Sequence, residues 1–100
     1  MATATFNGTV IAEANDEDTI RIEGGTYFPP SSIKEEFFKK TDHSTSCHWK
    51  GDASYYDVTV DGETGHNVAW TYERPMEGSV DTVGRDFTGF VSFYPQVTVS

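Results

Sequence analysis

Residues Ser46–Tyr56, with the sequence SCHWKGDASYY, decide how the rest of the chain is interpreted. They include the only cysteine, Cys47, and one of the two tryptophans, Trp49. From residue 53 to residue 60 the sequence alternates as in a half-buried strand, with Tyr56 and the other even-numbered residues on one face. The stretch predicts a central strand with reactive side chains at its start.

The following segment predicts the second half of a hairpin. Residues 61–65, with the sequence DGETG, are typical of a five-residue loop, and residues 66–73 predict the returning strand. A hairpin that is symmetric about its loop places Tyr56 opposite Trp70, with Tyr72 on the same face. We therefore expect three large aromatic rings to lie together, at the end of the hairpin farthest from the loop.

Further short strands are predicted on both sides of this hairpin. Asn7-Gly8 lies between β-forming residues, which is typical of a tight turn. Residues 19–23 alternate as a strand, and residues 89–94 and 97–99 are rich in Val, Phe and Tyr or Val and Thr. Since glycine and proline separate these segments, the chain is expected to be mainly β, with antiparallel strands.

One short helix is predicted around residues 32–40. Ser32 and Glu35 have the spacing of a capping box, and two lysines end the segment, where they suit the helix dipole. A helix this short must be held by packing on the sheet. With 100 residues, the chain is expected to form a single domain, residues 1–100.

The charge of the chain limits its partners. Sixteen acidic and seven basic side chains give a formal charge of −9, which repels phosphate backbones and anionic lipid surfaces. We therefore expect no nucleic acid partner and no membrane partner, and no apolar run approaches the ~20 residues of a membrane span. A single cysteine and an N-terminal segment without signal-peptide features predict an intracellular, cytoplasmic protein.

Four aromatic side chains are candidate walls of a ligand pocket: Trp49, Tyr56, Trp70 and Tyr72. Aromatic rings offer rigid contact area to planar or cationic ligands. The alternative is that the same rings are ordinary core, because a domain of this size needs such area to remain folded. Both interpretations stay open from the sequence alone.

Two basic residues are candidate anchors for an anionic group. Lys50 lies between Trp49 and Gly51, and the glycine lets a ligand approach the backbone. Arg74 ends the aromatic strand and can act with Lys50 in binding a carboxylate or phosphate. A surface ion pair with one of the many carboxylates is the alternative for Lys50.

Cys47 and Lys50 are the candidate catalytic residues. Cys47 could act as a nucleophile with His48 or His43 as the base, although neighbouring side chains diverge on an extended backbone. The alternative is a buried, unreactive cysteine. Acidic residues 16–18 could bind a metal, but no further ligands accompany them, and an exposed turn between strands is the favoured interpretation.

Five segments occur in the order found in the domain of unknown function 427 family, which the chain resembles along nearly its whole length: residues 7–13, 27–30, 47–56, 68–75 and 90–94. The resemblance implies a small antiparallel β-tent (Mss4-like) domain. Its architecture would be similar to that of the thalidomide-binding domain of cereblon and to methionine sulfoxide reductase B. The family also carries a name that implies nucleotidyl transfer.

The resemblance also bears on cofactors. Many β-tent proteins bind structural zinc through two Cys-x-x-Cys pairs, whereas Cys47 stands alone here, and three histidines lack ligand spacing: His43, His48 and His66. We therefore expect no metal and no cofactor. Nucleotidyl transfer would need paired carboxylates beside a phosphate-binding loop, and the sequence has neither in a suitable context.

The sequence favours a small-molecule binding module with an aromatic pocket and a lysine anchor. One alternative is a small enzyme, either a nucleotidyltransferase or a thiol-dependent catalyst that uses Cys47. Another alternative is a protein interaction domain that uses an exposed sheet edge. No oligomeric state is indicated.

Overall fold

The computed structural model describes residues 1–100 and contains three antiparallel sheets, with strand orders β2-β1-β9, β3-β4 and β5-β6-β7-β8. The strands are β1 (Ala2–Phe6), β2 (Thr9–Ala14), β3 (Ile20–Ile22), β4 (Gly25–Tyr27), β5 (Phe38–Cys47), β6 (Gly51–Val60), β7 (Glu63–Thr71), β8 (Val91–Phe93) and β9 (Thr98–Val99). The mainly β, antiparallel fold class is confirmed.

The one α-helix, α1, spans Ser79–Val83, between left-handed Gly78 and Gly84. It is five residues long, so no helix of this structure has the length and apolar character of a membrane span. The single short helix is confirmed, but its predicted position is wrong.

Residues 32–40 form no α-helix. Two 3₁₀ turns, Pro30–Ser32 and Glu35–Phe37, are followed directly by β5, which begins at Phe38. Between the turns Ile33 forms a bridge with Ala12, and the amide of the next residue donates to a carbonyl of β2. This long-range pairing outweighs a weak local helix signal, because a two-turn helix gains little stability by itself.

The β6–β7 hairpin has a two-residue turn rather than the predicted five-residue loop. Asp61 and Gly62 have φ angles of 50° and 82°, and Val60 pairs directly with Glu63. Two successive positive φ angles are typical of the type I′ turn, which matches the twist of the strands it joins. Asp-Gly is the sequence that favours this turn, so the two-residue turn could have been predicted from the local sequence.

A bulge then changes the register of the hairpin. Val58 pairs with Gly65 and Tyr56 with Ala69, so β7 contributes three intervening residues where β6 contributes one. Trp70 consequently lies opposite Tyr55 instead of Tyr56. Because a slip of one residue moves a side chain to the other face, the predicted grouping of Tyr56 with the rings of Trp70 and Tyr72 is wrong.

The four-stranded sheet contributes to two apolar cores on opposite faces. The first core contains Ala2, Ala4, Ile11, Ala12, Ala14, Phe28, Val58, Val60, Val68 and Val97. The second core contains Ile20, Ile22, Tyr27, Ala53, Tyr55, Tyr72 and Phe87. Burial along β6 moves from odd-numbered to even-numbered residues between Tyr55 and Val58, so the strand passes from one core to the other.

Candidate functional site

The bulge divides the predicted site residues into two groups. Trp49 and Trp70 pack against the second core, Tyr72 belongs to it, and Lys50 lies among these rings. Tyr56 lies on the opposite face, against Phe38. The two groups therefore belong to two separate candidate sites.

Lys50 is the most deeply buried charged residue of the chain, with 7% of its surface exposed. Its Nζ lies 5.4 Å from the centre of the Trp49 ring and 5.3 Å from that of Tyr72. The same Nζ donates to the Glu23 carboxylate, which is its ion-pair partner. We call Glu23, Tyr27, Trp49, Lys50 and Tyr72 the lysine cluster.

Electrostatics keep the ion pair of the lysine cluster charged at neutral pH. The hydrogen bond and the charge of Lys50 hold the pKa of Glu23 below its ordinary value. Burial acts to lower the pKa of Lys50, but the Glu23 carboxylate, Tyr27 and Tyr72 outweigh it, so the net pKa is raised. Burial also raises the pKa of the Tyr27 and Tyr72 hydroxyls.

Glu23 has an unusual backbone conformation for its residue type. It forms with Gly24 the two-residue turn between β3 and β4, and its φ angle is 52°. Left-handed backbone costs a non-glycine residue roughly 1–2 kcal/mol, and Asn, Asp or Gly usually occupies such turns. The contact with Lys50 gives a reason for a glutamate here.

No open pocket lies at the lysine cluster. None of the surface cavities is lined by Trp49, Lys50, Trp70 or Tyr72. The expected open aromatic pocket is therefore closed at this place, by ring packing and by Glu23. The role of these four residues as ligand contacts stays a prediction.

Trp70 continues the aromatic packing towards the surface. Its Nε1 donates to the Tyr27 hydroxyl at 3.1 Å, and its ring lies 4.6 Å from that of Tyr94. A hydrogen bond with Tyr55 raises the pKa of Tyr94 to about 12. Sequence reasoning did not include Tyr27, Tyr94 or Glu23, since they come from three separate segments.

Cys47 ends β5, pairs with Gly51 and packs, half-buried, against the second core. No hydrogen bond joins its thiol to a histidine: the His43 ring instead packs on Tyr55, with ring centres 4.5 Å apart. A cysteine nucleophile depends on such a base or on another source of thiolate stabilisation. The proposed catalytic role of Cys47 stays a prediction, and no histidine is hydrogen-bonded to its thiol.

The first-core face carries an open cavity of about 360 Å³. It is lined by Pro30, Ile33, Glu35, Phe38, Tyr56, Gly89 and Val91. The Phe38 and Tyr56 rings meet edge to face, 5.9 Å apart, and form one wall. Burial, with the Glu73 carboxylate adding to it, raises the pKa of Tyr56. The volume lies within the range of roughly 300–1,000 Å³ that is usual for ligand pockets.

A second, polar cavity has a volume of about 320 Å³ and is lined by Lys40, Asp52, Ser54, Glu73 and Arg74. Lys40 pairs with Tyr56 across the sheet, and Ser54 lies two residues before Tyr56 on the same face. Tyr56, which lines the first cavity, is therefore a neighbour of residues that line the second, and we call the two cavities together the groove, with an apolar half and a polar half.

The charged residues of the polar half differ in whether they have an ion-pair partner. Glu73 accepts from Lys40 at 2.6 Å and from the Ser54 hydroxyl at 2.9 Å, and these contacts lower the pKa of Glu73. Arg74, in contrast, has no ion-pair partner within 4.0 Å. Its guanidinium is the positive group at the groove that the fold leaves unpaired.

A buried hydroxyl without a partner lies between the two halves. Thr71 pairs in register with Ser54 on one side and with Val91 on the other. Its Oγ1 is buried and makes no hydrogen bond. Buried polar atoms normally have partners, so this atom is an unexplained polar feature in the sheet beside the groove.

The fold defines a small, mainly β domain with several separate surface cavities. The chain belongs to the family described as Domain of unknown function (DUF427), whose family model matches residues 1–100. No curated protein matches the sequence. The similarity to cereblon implied by the resemblance stays a prediction.

Proposed function

We propose that this chain is a small-molecule binding domain whose ligand lies in the groove. The observation that carries the proposal is the 360 Å³ cavity with an aromatic wall, open to solvent, together with a polar cavity on the same face of the sheet. Apolar pockets with a few polar groups at one end are the usual form of ligand sites. Tyr56 and Arg74, both predicted site residues, contribute to it.

The groove suits a small planar molecule with one negatively charged head group. Phe38 and Tyr56 offer flat contact area to the body of such a molecule. The unpaired guanidinium of Arg74 can bind a carboxylate in bidentate fashion. At the polar half two basic and two acidic side chains cancel, and the chain carries −9 overall, so a single negative charge is favoured over a triphosphate.

The proposal is tested by NMR with ¹⁵N-labelled protein and a panel of aromatic carboxylates that begins with benzoate. We expect saturable shifts of amides around the groove, weakened in Tyr56→Ala and in Arg74→Ala. Arg21→Ala, which removes an arginine remote from the groove, should bind as the unchanged protein does. Shifts that map elsewhere, or equal binding by all variants, would contradict the proposal.

The alternative functions have less support from the geometry. Acidic residues 16–18 form an exposed 3₁₀ turn, and Asp16 pairs with the N-terminal amino group at 3.3 Å. An interaction domain could use β5, an edge strand, but its lysines and the bulge at residues 40–44 are features that protect edges from pairing. Magnesium with ATP serves as the comparison ligand for the nucleotidyltransferase alternative.

A further inference from the structure

We infer that the ammonium group of Lys50 marks a second, separate anion site, where Glu23 is an internal carboxylate that a small carboxylate ligand can replace. This site shares no residue with the groove and does not depend on the function proposed for it. Its ligand class is a monocarboxylate with a small apolar body.

The cation of this site is built into the fold. The Lys50 side chain is 9% exposed and lies between the faces of Trp49 and Tyr72. Its Nζ has three hydrogens and donates to a Glu23 carboxylate oxygen, while the Tyr72 hydroxyl also lies near enough to interact with the ammonium. Lys50 cannot leave for solvent without unpacking these rings, so the positive charge stays where it is.

The anion of the site is much less firmly held. The Glu23 side chain is 58% exposed and belongs to a two-residue turn of a two-stranded sheet. Its φ angle of 52° lies in the left-handed region, so the conformation of the turn does not favour a glutamate at this position. Glu23 can therefore swing into water, and the buried ammonium then requires another anion.

The surroundings select a small monoanion. Trp49, Tyr72 and Tyr27 present aromatic surface around the ammonium, which favours a ligand with an apolar body. A single ammonium on a chain of charge −9 neutralises one negative charge and disfavours polyanions. Glu23 is the exposed member of the cluster, so a ligand reaches Lys50 by taking the place of this carboxylate.

The first test is chemical rescue of Glu23→Gly. Glycine suits the φ angle of this turn, so the substitution removes the carboxylate without straining the backbone. We expect the Tm to fall by about 10 °C and sodium acetate to restore part of the loss at roughly tens of millimolar, where sodium chloride of equal ionic strength does not.

The matched control is Asp61→Gly, which removes a carboxylate from a turn of the same type, at φ 50°, far from Lys50 along the hairpin. It should gain no specific response to acetate, and adding Lys50→Met to Glu23→Gly should abolish the rescue. Equal effects of acetate on both glycine variants, or no rescue at all, would overturn the inference.

A second measurement uses the unchanged protein and decides the matter if Glu23→Gly does not fold. The chain has two tryptophans, so two indole N–H signals are followed during titration with propionate. We expect a saturable shift of the Trp49 signal that is lost in Lys50→Met, with a smaller shift for Trp70. Linear shifts of both signals, or shifts retained in Lys50→Met, would refute the inference.

Discussion

The positive charges on the two faces of the four-stranded sheet differ in burial and in their ion-pair partners. On the second-core face Lys50 is buried, paired with Glu23 and enclosed by aromatic rings. On the groove face Arg74 is exposed and has no ion-pair partner, and the cavity beside it is open. The first charge is neutralised by a carboxylate of the chain itself, whereas the second has no counter-ion within the chain.

The largest expected effect compares one ion pair from each face. Glu23→Gln leaves Lys50 buried without a counter-ion and should lower the free energy of unfolding by about 2 kcal/mol. The loss is smaller than for a fully buried ion pair, because Glu23 is exposed to water. Glu73→Gln breaks the pair with Lys40, in which both side chains are about half exposed, and should cost much less. Urea unfolding of both variants measures the difference, and equal losses would contradict the contrast.

Acid should remove the advantage of the Glu23 pair. The pKa of Glu23 in the folded chain lies below its ordinary 4.5, so the pair stabilises fully above that value and is lost as the pH falls through the lowered one. Lys50, whose raised pKa lies above 10.5, stays charged throughout this range. The stability difference between the unchanged protein and Glu23→Gln should hold at neutral pH and vanish once the pH is well below the lowered pKa of Glu23. A difference that persists in acid would mean that shape rather than charge is responsible.

The two faces also differ in whether a buried hydroxyl has a hydrogen-bond partner. Thr71→Val replaces the unpartnered hydroxyl beside the groove with a methyl group and should raise the free energy of unfolding by about 1 kcal/mol. Ser92 on the opposite face donates to the Thr26 carbonyl at 3.0 Å, so Ser92→Ala should lower it by about 1 kcal/mol. Thermal unfolding of the two variants should therefore shift in opposite directions. Destabilisation by Thr71→Val would indicate that its hydroxyl has a partner after all.

The sequence identified local features of the fold better than the faces of its strands. Asn7-Gly8 forms the predicted turn, with φ angles of 48° and 78°, because these residue types tolerate left-handed backbone wherever they occur. The bulge after Gly65 depends on Asn67 at φ 53°, whose amide donates to the Asp57 carboxylate across the hairpin. No local pattern encodes that contact, and it decides which aromatic rings meet.

The sequence predicted which types of residue form the candidate sites, but not which of these residues lie together. Lys50 and Trp49 adjoin in sequence and in space, so their contact could be expected. The counter-ion Glu23 is 27 positions away from Lys50. The sequence does show a glutamate before Gly24 at a turn. That glutamate can be recognised as a site residue only when the register of β3 and β4 is known. The groove lies partly where a helix was predicted, since Ile33 and Phe38 line it from the 3₁₀ segment and from β5.

The smallest expected effect on stability belongs to Arg74. Arg74→Ala removes a guanidinium without an ion-pair partner, so the free energy of unfolding should change by less than about 0.5 kcal/mol. Arg85→Ala is the matched control, because Arg85 donates to the Thr19 carbonyl at 2.8 Å and its loss should be felt more. If Arg74→Ala is the more destabilising of the two, the guanidinium serves the fold. If it leaves stability intact while weakening the binding of aromatic carboxylates, the positive charge on the open face is available for a ligand directly, whereas the charge of Lys50 becomes available only when Glu23 is displaced.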